Sequence, residues 1–138
     1  MRLTPDRGPV LLEVAARLPG GPLQPGHLKA TGINMTRELL NVWLGEPVDL
    51  APTHTRHILQ KAVFPRTEGL IKHIVLPENI KNDEALWDLT LIVQEGETTV
   101  TYPNIPKPLY YYALHAPTSI DLQDACERIE KQIIIEVA

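Results

Sequence analysis

The stretch that decides the fold class is Asp88–Tyr102, DLTLIVQEGETTVTY, in which two β-prone runs flank Glu95 and Gly96. With these two residues as a loop, the residue pairs on one side are largely apolar: Leu89–Tyr102, Leu91–Val100 and Val93–Thr98. The pairs on the other side are mostly polar. This alternation is typical of an antiparallel sheet that is covered on one face. The sequence therefore predicts a β-hairpin with one apolar face.

The residues after this hairpin provide elements that would cover its apolar face. Leu109–His115 is a β-prone run with three successive tyrosines, and it predicts a third strand. Ser119 is a suitable cap for a final helix. Its apolar stripe consists of Leu122, Ala125, Cys126, Ile129 and Ile133. Residues 133–135 either end this helix or form a terminal strand. We expect the helix and the hairpin to pack together.

The residues before the hairpin are predicted to be mainly helical. Residues 10–18 fit a helix, with a strand as the alternative, and a helical turn follows at 28–31. Residues 35–44 form a second helix, whose expected buried residues are Leu39, Leu40, Trp43 and Leu44. Residues 53–63 form a third helix, and residues 70–76 are either a strand or a short helix.

Together these elements predict an α+β fold with a helical N-terminal half and an antiparallel hairpin plus third strand packed on a C-terminal helix. We expect one domain over residues 1–138, or one in which residues 1–46 form a small helical subdomain.

The composition of the 138 residues bounds the classes of protein that remain. The apolar share of 43% and the charged share of 22% are typical of a globular protein. Cys126 is the only cysteine, which indicates a reducing compartment, and the expected location is cytoplasmic. No apolar run is long enough for a membrane span, so no membrane partner is expected. Residues 78–138 carry four Lys/Arg and eleven Asp/Glu, which argues against a broad nucleic-acid surface there.

Residues 24–44 are similar to a helix-turn-helix, with a short helix, a Gly-Ile-Asn turn and an amphipathic second helix. In that family the second helix lies in the DNA major groove. The resemblance implies that Asn34, Thr36, Arg37 and Asn41 contact nucleic acid. The segment departs from the family at Pro25 and Gly26, which interrupt the first helix, and it has no basic face.

Residues 108–135 resemble the closing strand and helix of a KH-type RNA-binding domain. That family grips single-stranded RNA with a GxxG loop. No GxxG occurs in this chain. The resemblance therefore implies a strand followed by a helix more than it implies RNA binding.

The three tyrosines of the predicted third strand are a candidate binding surface. Side chains alternate along a strand, so Tyr110 and Tyr112 point to one side and Tyr111 to the other. Tyrosine is enriched at protein interfaces because its ring is apolar and its hydroxyl is polar. We expect Tyr110 and Tyr112 to form an interface with a protein partner or with a second copy of the chain.

Catalytic motifs are absent from the sequence: it has no GxSxG, P-loop, GxGxxG, HExxH or CxxC. His54 and His57 lie three residues apart on a predicted helix and are the candidates for a dispersed enzyme site. Two imidazoles do not complete a zinc site, so no metal or cofactor is predicted. The sequence favours a small non-enzymatic binding or assembly subunit of a larger intracellular complex. A nucleic-acid-binding protein and an enzyme with a site near these two histidines are the alternatives.

Overall fold

The computed structural model describes residues 2–138, and strands alternate with helices along this range. The elements are β1 Arg2–Thr4, β2 Gly8–Val10, α1 Leu23–Thr31, α2 Met35–Leu44, β3 His57–Val63, β4 Gly69–Val75, a 3₁₀ helix Glu78–Asn82, β5 Leu86–Leu91, β6 Thr98–Thr99, β7 Tyr110–Ala116, α3 Ser119–Gln132 and β8 Ile134–Val137. The predicted helical N-terminal half is therefore wrong, since four strands precede the 3₁₀ helix.

The strands within the described residues form three antiparallel sheets. β1 and β2 form a two-stranded hairpin, β7 lies between β3 and β5, and β4 lies between β6 and β8. In the β3–β7–β5 sheet, Leu114 is opposite both Leu59 and Leu86, and Tyr112 is opposite Leu89. β7 is thus a central strand, paired on both edges, and five of its seven residues are buried.

The core lies between β7, β4 and α3. Its fully buried side chains are Tyr112, Ile71, Ile80, Leu114 and Ile129. α3 contributes Ala125 and Ile129, which are one helical turn apart and therefore face the sheet together. A central apolar strand packed under an amphipathic helix accounts for the main buried layer of the fold.

The predicted hairpin Asp88–Tyr102 is wrong, although its turn is present. Gly96 has a φ of 89°, and the amide of Glu97 donates to the carbonyl of Gln94 at 3.2 Å. On either side of this turn the chain diverges into two different sheets. β5 pairs with β7, and β6 pairs with β4. Alternation of apolar residues selects the face of a strand but not its neighbour, and β7 offers β5 a longer pairing than β6 can.

The first predicted helix, over residues 10–18, and the third, over residues 53–63, are also wrong. Residues 8–10 form β2, and residues 11–18 have no regular structure. Residues 57–63 form β3, which pairs along its whole length with β7. The apolar spacing in β3 fits a helix as well as a strand, and tertiary pairing overrides that local preference.

Several elements of the C-terminal half confirm the prediction. The tyrosine run is a strand, residues 119–132 form a helix, and residues 134–137 form the terminal strand β8. The helix cap is Thr118 and not Ser119: its hydroxyl accepts from the amide of Asp121 at 3.1 Å. Such a cap satisfies one of the free amides of the first turn.

Helix α2 has the predicted bounds, but the expected buried side is wrong. Leu40, Trp43 and Leu44 are 49%, 73% and 74% exposed, whereas Glu38 is only 3% exposed. Glu38 is buried because its carboxylate accepts from the amide of Asp49 at 3.0 Å and from the side chains of Arg37 and Asn41. The helix therefore turns a carboxylate inward and an apolar stripe outward.

Candidate functional site

A cleft of about 870 Å³ opens where β3 begins and β7 ends. One wall is the first half of α3, and another is the segment that follows the 3₁₀ helix. The lining residues are mostly charged or polar: Thr55, Arg56, Asp83, Glu84, Ala85, His115, Ala116, Pro117, Asp121, Asp124, Ala125 and Arg128. The volume lies in the range of sites that hold a small molecule. We refer to this feature as the charged cleft.

The walls of the charged cleft are held together by hydrogen bonds. The Arg128 guanidinium donates to both carboxylate oxygens of Asp83, at 2.7 and 3.0 Å. This pair lowers the pKa of Asp83, whose carboxylate also accepts from the amide of Ala85. The amide of His115 donates to the carbonyl of Ala85 at 2.9 Å. α3, β7 and residues 83–85 are therefore fixed relative to one another, as a pre-formed site requires.

Arg56 and His115 both line the charged cleft. Among the described residues, the Arg56 side chain has no ion pair or hydrogen bond. Partial burial lowers the pKa of His115, and the nearby charges of Lys29 and Arg56 lower it further. The imidazole is thus neutral at pH 7, where it can donate one hydrogen bond and accept another.

A second pocket, of about 500 Å³, shares Arg56 with the charged cleft. It is lined by Pro25, Leu28, Lys29, Gly32, His54, Arg56 and Trp87. The indole Nε1 of Trp87 is buried, and within the part of the chain that the structure describes it has no hydrogen-bond partner. An unsatisfied buried donor costs roughly 1–3 kcal/mol. Lys29 and Arg56 thus line the pocket without a carboxylate among its lining residues.

The charged cleft also has acidic lining residues. Glu84 and Asp124 line it, and neither side chain has an ion pair within residues 2–138. Asp121 also lines it, but its carboxylate accepts from the Thr118 hydroxyl at 2.7 Å. The cleft is thus lined by Arg56, a cation without an ion pair within residues 2–138, and by carboxylates that likewise have none. Such an arrangement can orient a molecule that carries both charges.

Another polar cluster extends from the buried Tyr112 to the surface beside α3. The Tyr112 hydroxyl donates to Glu130 at 2.6 Å and lies 3.0 Å from Cys126 Sγ, and Lys61 donates to the same carboxylate. Burial and these two contacts raise the pKa of Tyr112. Burial alone would raise the pKa of Glu130, but the hydrogen bonds from Lys61 and Tyr112 bring it below its usual value. This cluster ties β3, β7 and α3 together.

Tyr110 and Tyr112, the predicted interface residues, lie in the core and are 5% and 2% exposed. Their rings are 6.0 Å apart, in a tilted arrangement. Of the three tyrosines in β7, Tyr111 is the exposed one, at 41%. Any interface on this strand would therefore have to use Tyr111.

The predicted nucleic-acid contacts lie on α2, and the turn between α1 and α2 is present. Asn34 caps α2, because its side chain accepts from the amide of Arg37. The Arg37 guanidinium is 2.9 Å from Glu38, and Asn41 donates to the same carboxylate. These polar groups are thus engaged within the helix. Nucleic-acid binding by Asn34, Arg37 and Asn41 stays a prediction.

His54 and His57 do not share a helix face, since the predicted helix is a strand. The His54 ring nitrogens lie 3.1 Å from Thr53 Oγ1 and 3.1 Å from the carbonyl of Lys29. His57 is exposed at the start of β3, opposite Ala116. The described residues contain no group of three or more His, Cys, Asp or Glu side chains placed to hold a metal ion.

The residues of the charged cleft were not identified from the sequence. Arg56, His115 and Arg128 come from three distant parts of the chain, and no local motif surrounds any of them. The available signal was weak: a histidine at the end of a buried strand, followed by a Pro-Thr-Ser helix cap. Only the pairing of β3 with β7 brings Arg56 beside His115.

No helix in the described part of the chain has the length and apolar character needed to cross a membrane.

No known protein family and no curated protein sequence matches this chain. Two solved structures are similar to it. An L-amino acid ligase from Bacillus licheniformis is 17% identical with a TM-score of 0.76, over 99% of this chain and 34% of that one. A phosphoribosylglycinamide synthetase from Anaerococcus prevotii is 14% identical with a TM-score of 0.63, over 85% of this chain and 30% of that one.

The likeness shows the fold, and at these identities it shows the fold alone. It corrects the predicted fold class: within the described residues, eight strands in three sheets are interspersed with three helices, an arrangement that occurs within these two enzymes. The chain spans about a third of the length of each. This fold is thus one that ligases contain, which no motif in the sequence indicated.

Proposed function

We propose that this domain works in a ligase that joins the carboxylate of an amino acid to an amine. The observation that carries the proposal is the TM-score of 0.76 over 99% of the chain with an L-amino acid ligase. The second neighbour makes, by its name, an amide of glycine. Both names thus refer to enzymes that use an amino acid, and the same substrate class is proposed here.

Amide formation from a carboxylate and an amine needs a co-reactant that removes one oxygen. The fold of this chain resembles a fragment of the ATP-grasp fold, which suggests ATP as this co-reactant. One carboxylate oxygen leaves with the terminal phosphoryl group as phosphate, and ADP is the other product. The amine nitrogen bonds to the acyl carbon and loses one proton, which leaves with the phosphate. The balance is carboxylate plus amine plus ATP giving amide, ADP and phosphate.

We further propose that the domain acts together with another domain of that ligase, which packs on its exposed apolar surface. Leu40, Trp43 and Leu44 lie within about 100° of each other around α2, so they form one continuous stripe. We call these three residues the α2 apolar surface. Contiguous exposed apolar side chains of this size mark interaction surfaces. A partner domain with an apolar face is the occupant that fits, because the chain spans only about a third of each similar ligase.

The N-terminal strands support the same view. β1 and β2 pair only with each other, and a two-stranded hairpin is at best marginally stable by itself in water. Leu3, Leu11, Leu12 and Val14 are all exposed in and after this hairpin. A partner that covered these side chains would stabilise the hairpin. The sequence predicted a non-enzymatic binding or assembly subunit. The present proposal keeps the membership of an assembly and replaces the non-enzymatic role with a part in a ligase.

The ligase activity is tested on the protein in the form that its host makes. It is incubated with ATP, magnesium and mixed L-amino acids, and mass spectrometry is used to search for amide products together with ADP and phosphate. We expect ADP to form only when amino acids are present, in equal amount to an amide product. ATP consumption without an amide, or no consumption with any amino acid, would overturn the ligase proposal.

The partner domain is tested separately by native mass spectrometry. Trp43→Glu places a charge in the α2 apolar surface. Ile105→Glu is the matched control, because Ile105 is 95% exposed and lies on the loop between β6 and β7. We expect Trp43→Glu to abolish co-purification with ligase components, or the contact between the two domains. We expect Ile105→Glu to leave both unchanged. Equal behaviour of both variants would contradict the assignment of this surface.

A further inference from the structure

We infer that the charged cleft and the adjoining pocket form one site for a small peptide zwitterion, with the carboxylate at Arg56 and the ammonium at Asp124. This inference rests on the proposed function, because it names the class of substrate or product that such a ligase would hold. Joining two L-amino acids gives a dipeptide with one free carboxylate and one free ammonium. The inference concerns binding, so it can be tested without any ligation step.

The carboxylate end is argued from the groups that converge on Arg56. Arg56 lines both cavities, and its guanidinium is free of partners among the described residues. Lys29 lies on the same pocket, and its charge reaches His115. A guanidinium matches a carboxylate in a two-point hydrogen bond. Trp87 lines the same pocket, and its indole N–H has no hydrogen-bond partner among the described residues.

The ammonium end is argued from the acidic residues that line the cleft. Asp83 is neutralised by Arg128, and Asp121 is engaged by Thr118. Asp124 and Glu84 are left as carboxylates without an ion pair within residues 2–138, and both line the cleft. A purely anionic ligand would meet repulsion here, whereas an ammonium would be attracted. The charge distribution therefore selects a molecule with opposite charges at its two ends.

The size of the site favours a peptide over a single amino acid. The charged cleft holds about 870 Å³ and the adjoining pocket about 500 Å³. The frame is fixed by the two hydrogen bonds from Arg128 to Asp83 and by the bond from His115 to Ala85. A pre-formed site loses less conformational entropy on binding, so charge recognition can appear as affinity.

The test uses alanylalanine as the probe, together with its N-acetyl form and its C-terminal amide. Isothermal titration calorimetry on the full chain measures each affinity, and NMR follows the Trp87 indole N–H. We expect each cap to weaken binding about tenfold or more, since each removes a charged hydrogen-bond partner. We expect the Trp87 resonance to shift with the uncapped peptide.

Two variants assign the two ends. Arg56→Ala should bind the free peptide and its amide equally, and Asp124→Asn should bind the free peptide and its N-acetyl form equally. Arg66→Ala, at an exposed arginine outside the cleft, is the matched control and should retain both discriminations. Far-ultraviolet circular dichroism checks that each variant is folded.

Three results would overturn the inference: no binding of alanylalanine at millimolar concentration, capped and free peptides that bind equally, or inorganic phosphate that binds at the same site more tightly than the peptide. None of these depends on catalysis. A ligase that forms amides but shows any of them would keep the proposed function and lose the inference. A chain that binds the peptide but forms no amide would keep the binding site and lose the proposed function.

Discussion

The guanidinium of Arg128 on α3 donates two hydrogen bonds to the carboxylate of Asp83, at 2.7 and 3.0 Å. The Asp83 side chain is only 12% exposed, whereas that of Arg128 is half exposed. The pair joins the C-terminal helix to a segment 45 residues earlier in the chain. It thereby holds two walls of the charged cleft.

The Asp83–Arg128 pair should contribute measurably to stability. Asp83→Asn removes the charge from a mostly buried site and leaves Arg128 without its partner, so we expect a loss of about 1–2 kcal/mol in the free energy of unfolding. Urea denaturation followed by circular dichroism measures it. Glu127→Gln is the control, because Glu127 and Lys131 form an exposed pair that should contribute about 0.5 kcal/mol or less. Equal losses for both changes would contradict the prediction.

His115 should make the protein less stable as the pH falls. Its pKa is lowered from the usual 6.5 by partial burial and by the charges of Lys29 and Arg56. Below that usual value the unfolded chain binds a proton that the folded chain does not, so stability is lost as the pH drops and gained as it rises. We expect His115→Gln to unfold with less pH dependence between about pH 7.5 and 5.5, across the ordinary range of histidine titration.

The NMR titration of His115 gives an independent check. Its ring carbon proton should titrate at a lower pH than the ordinary histidine value of about 6.5. A His115 pKa at or above 6.5 would refute the proposed effect of its neighbours.

Helix α2 should tolerate changes on its apolar stripe better than on its carboxylate. Glu38→Ala removes the acceptor for the Asp49 amide, which is the main cause of the lowered pKa of Glu38. We expect this change to lower the midpoint of thermal unfolding of the isolated chain, whereas Leu40→Ser leaves it nearly unchanged because Leu40 is half exposed. Differential scanning fluorimetry compares the two variants. A larger effect of Leu40→Ser would show that the stripe is covered within this chain.

Two glycines that end helices should differ in their tolerance of alanine. Gly32 and Gly45 both have positive φ angles, 78° and 71°. A Cβ at Gly32 would collide with the Thr53 hydroxyl, whereas a Cβ at Gly45 would meet open space. We expect Gly45→Ala to cost about 1 kcal/mol from backbone strain alone, and Gly32→Ala to cost more. Urea unfolding of the two variants tests the difference, and equal losses would contradict it.

The elements that sequence reasoning identified are those in which local chemistry and tertiary packing agree. α2 lies between an asparagine cap and a glycine with positive φ, so its ends are encoded locally. α3 combines the Thr118 cap with a clear apolar stripe, and the run of tyrosines in β7 favours a strand in any context. The Glu95-Gly96 turn was found for the same reason.

The incorrect predictions share one cause, which is that strand partners are not recorded in local sequence. The residues of β3 fit a helix by spacing, but seven of them pair with β7. β5 and β6 flank a genuine turn and still join different sheets. The candidate site was not predicted for the same reason, since Arg56, His115 and Arg128 line one cleft only after those pairings form.

The sequence by itself determined where the last helix and the tyrosine strand lie, because caps, turns and side-chain periodicity act over a few residues. Tertiary structure alone decided which strands are neighbours, which side of α2 faces outward and which charges share a cleft. The physical reason is that long-range pairing and burial depend on the free energy of the whole assembled core, in which one buried carboxylate with three donors can outweigh the pattern of an entire helix face.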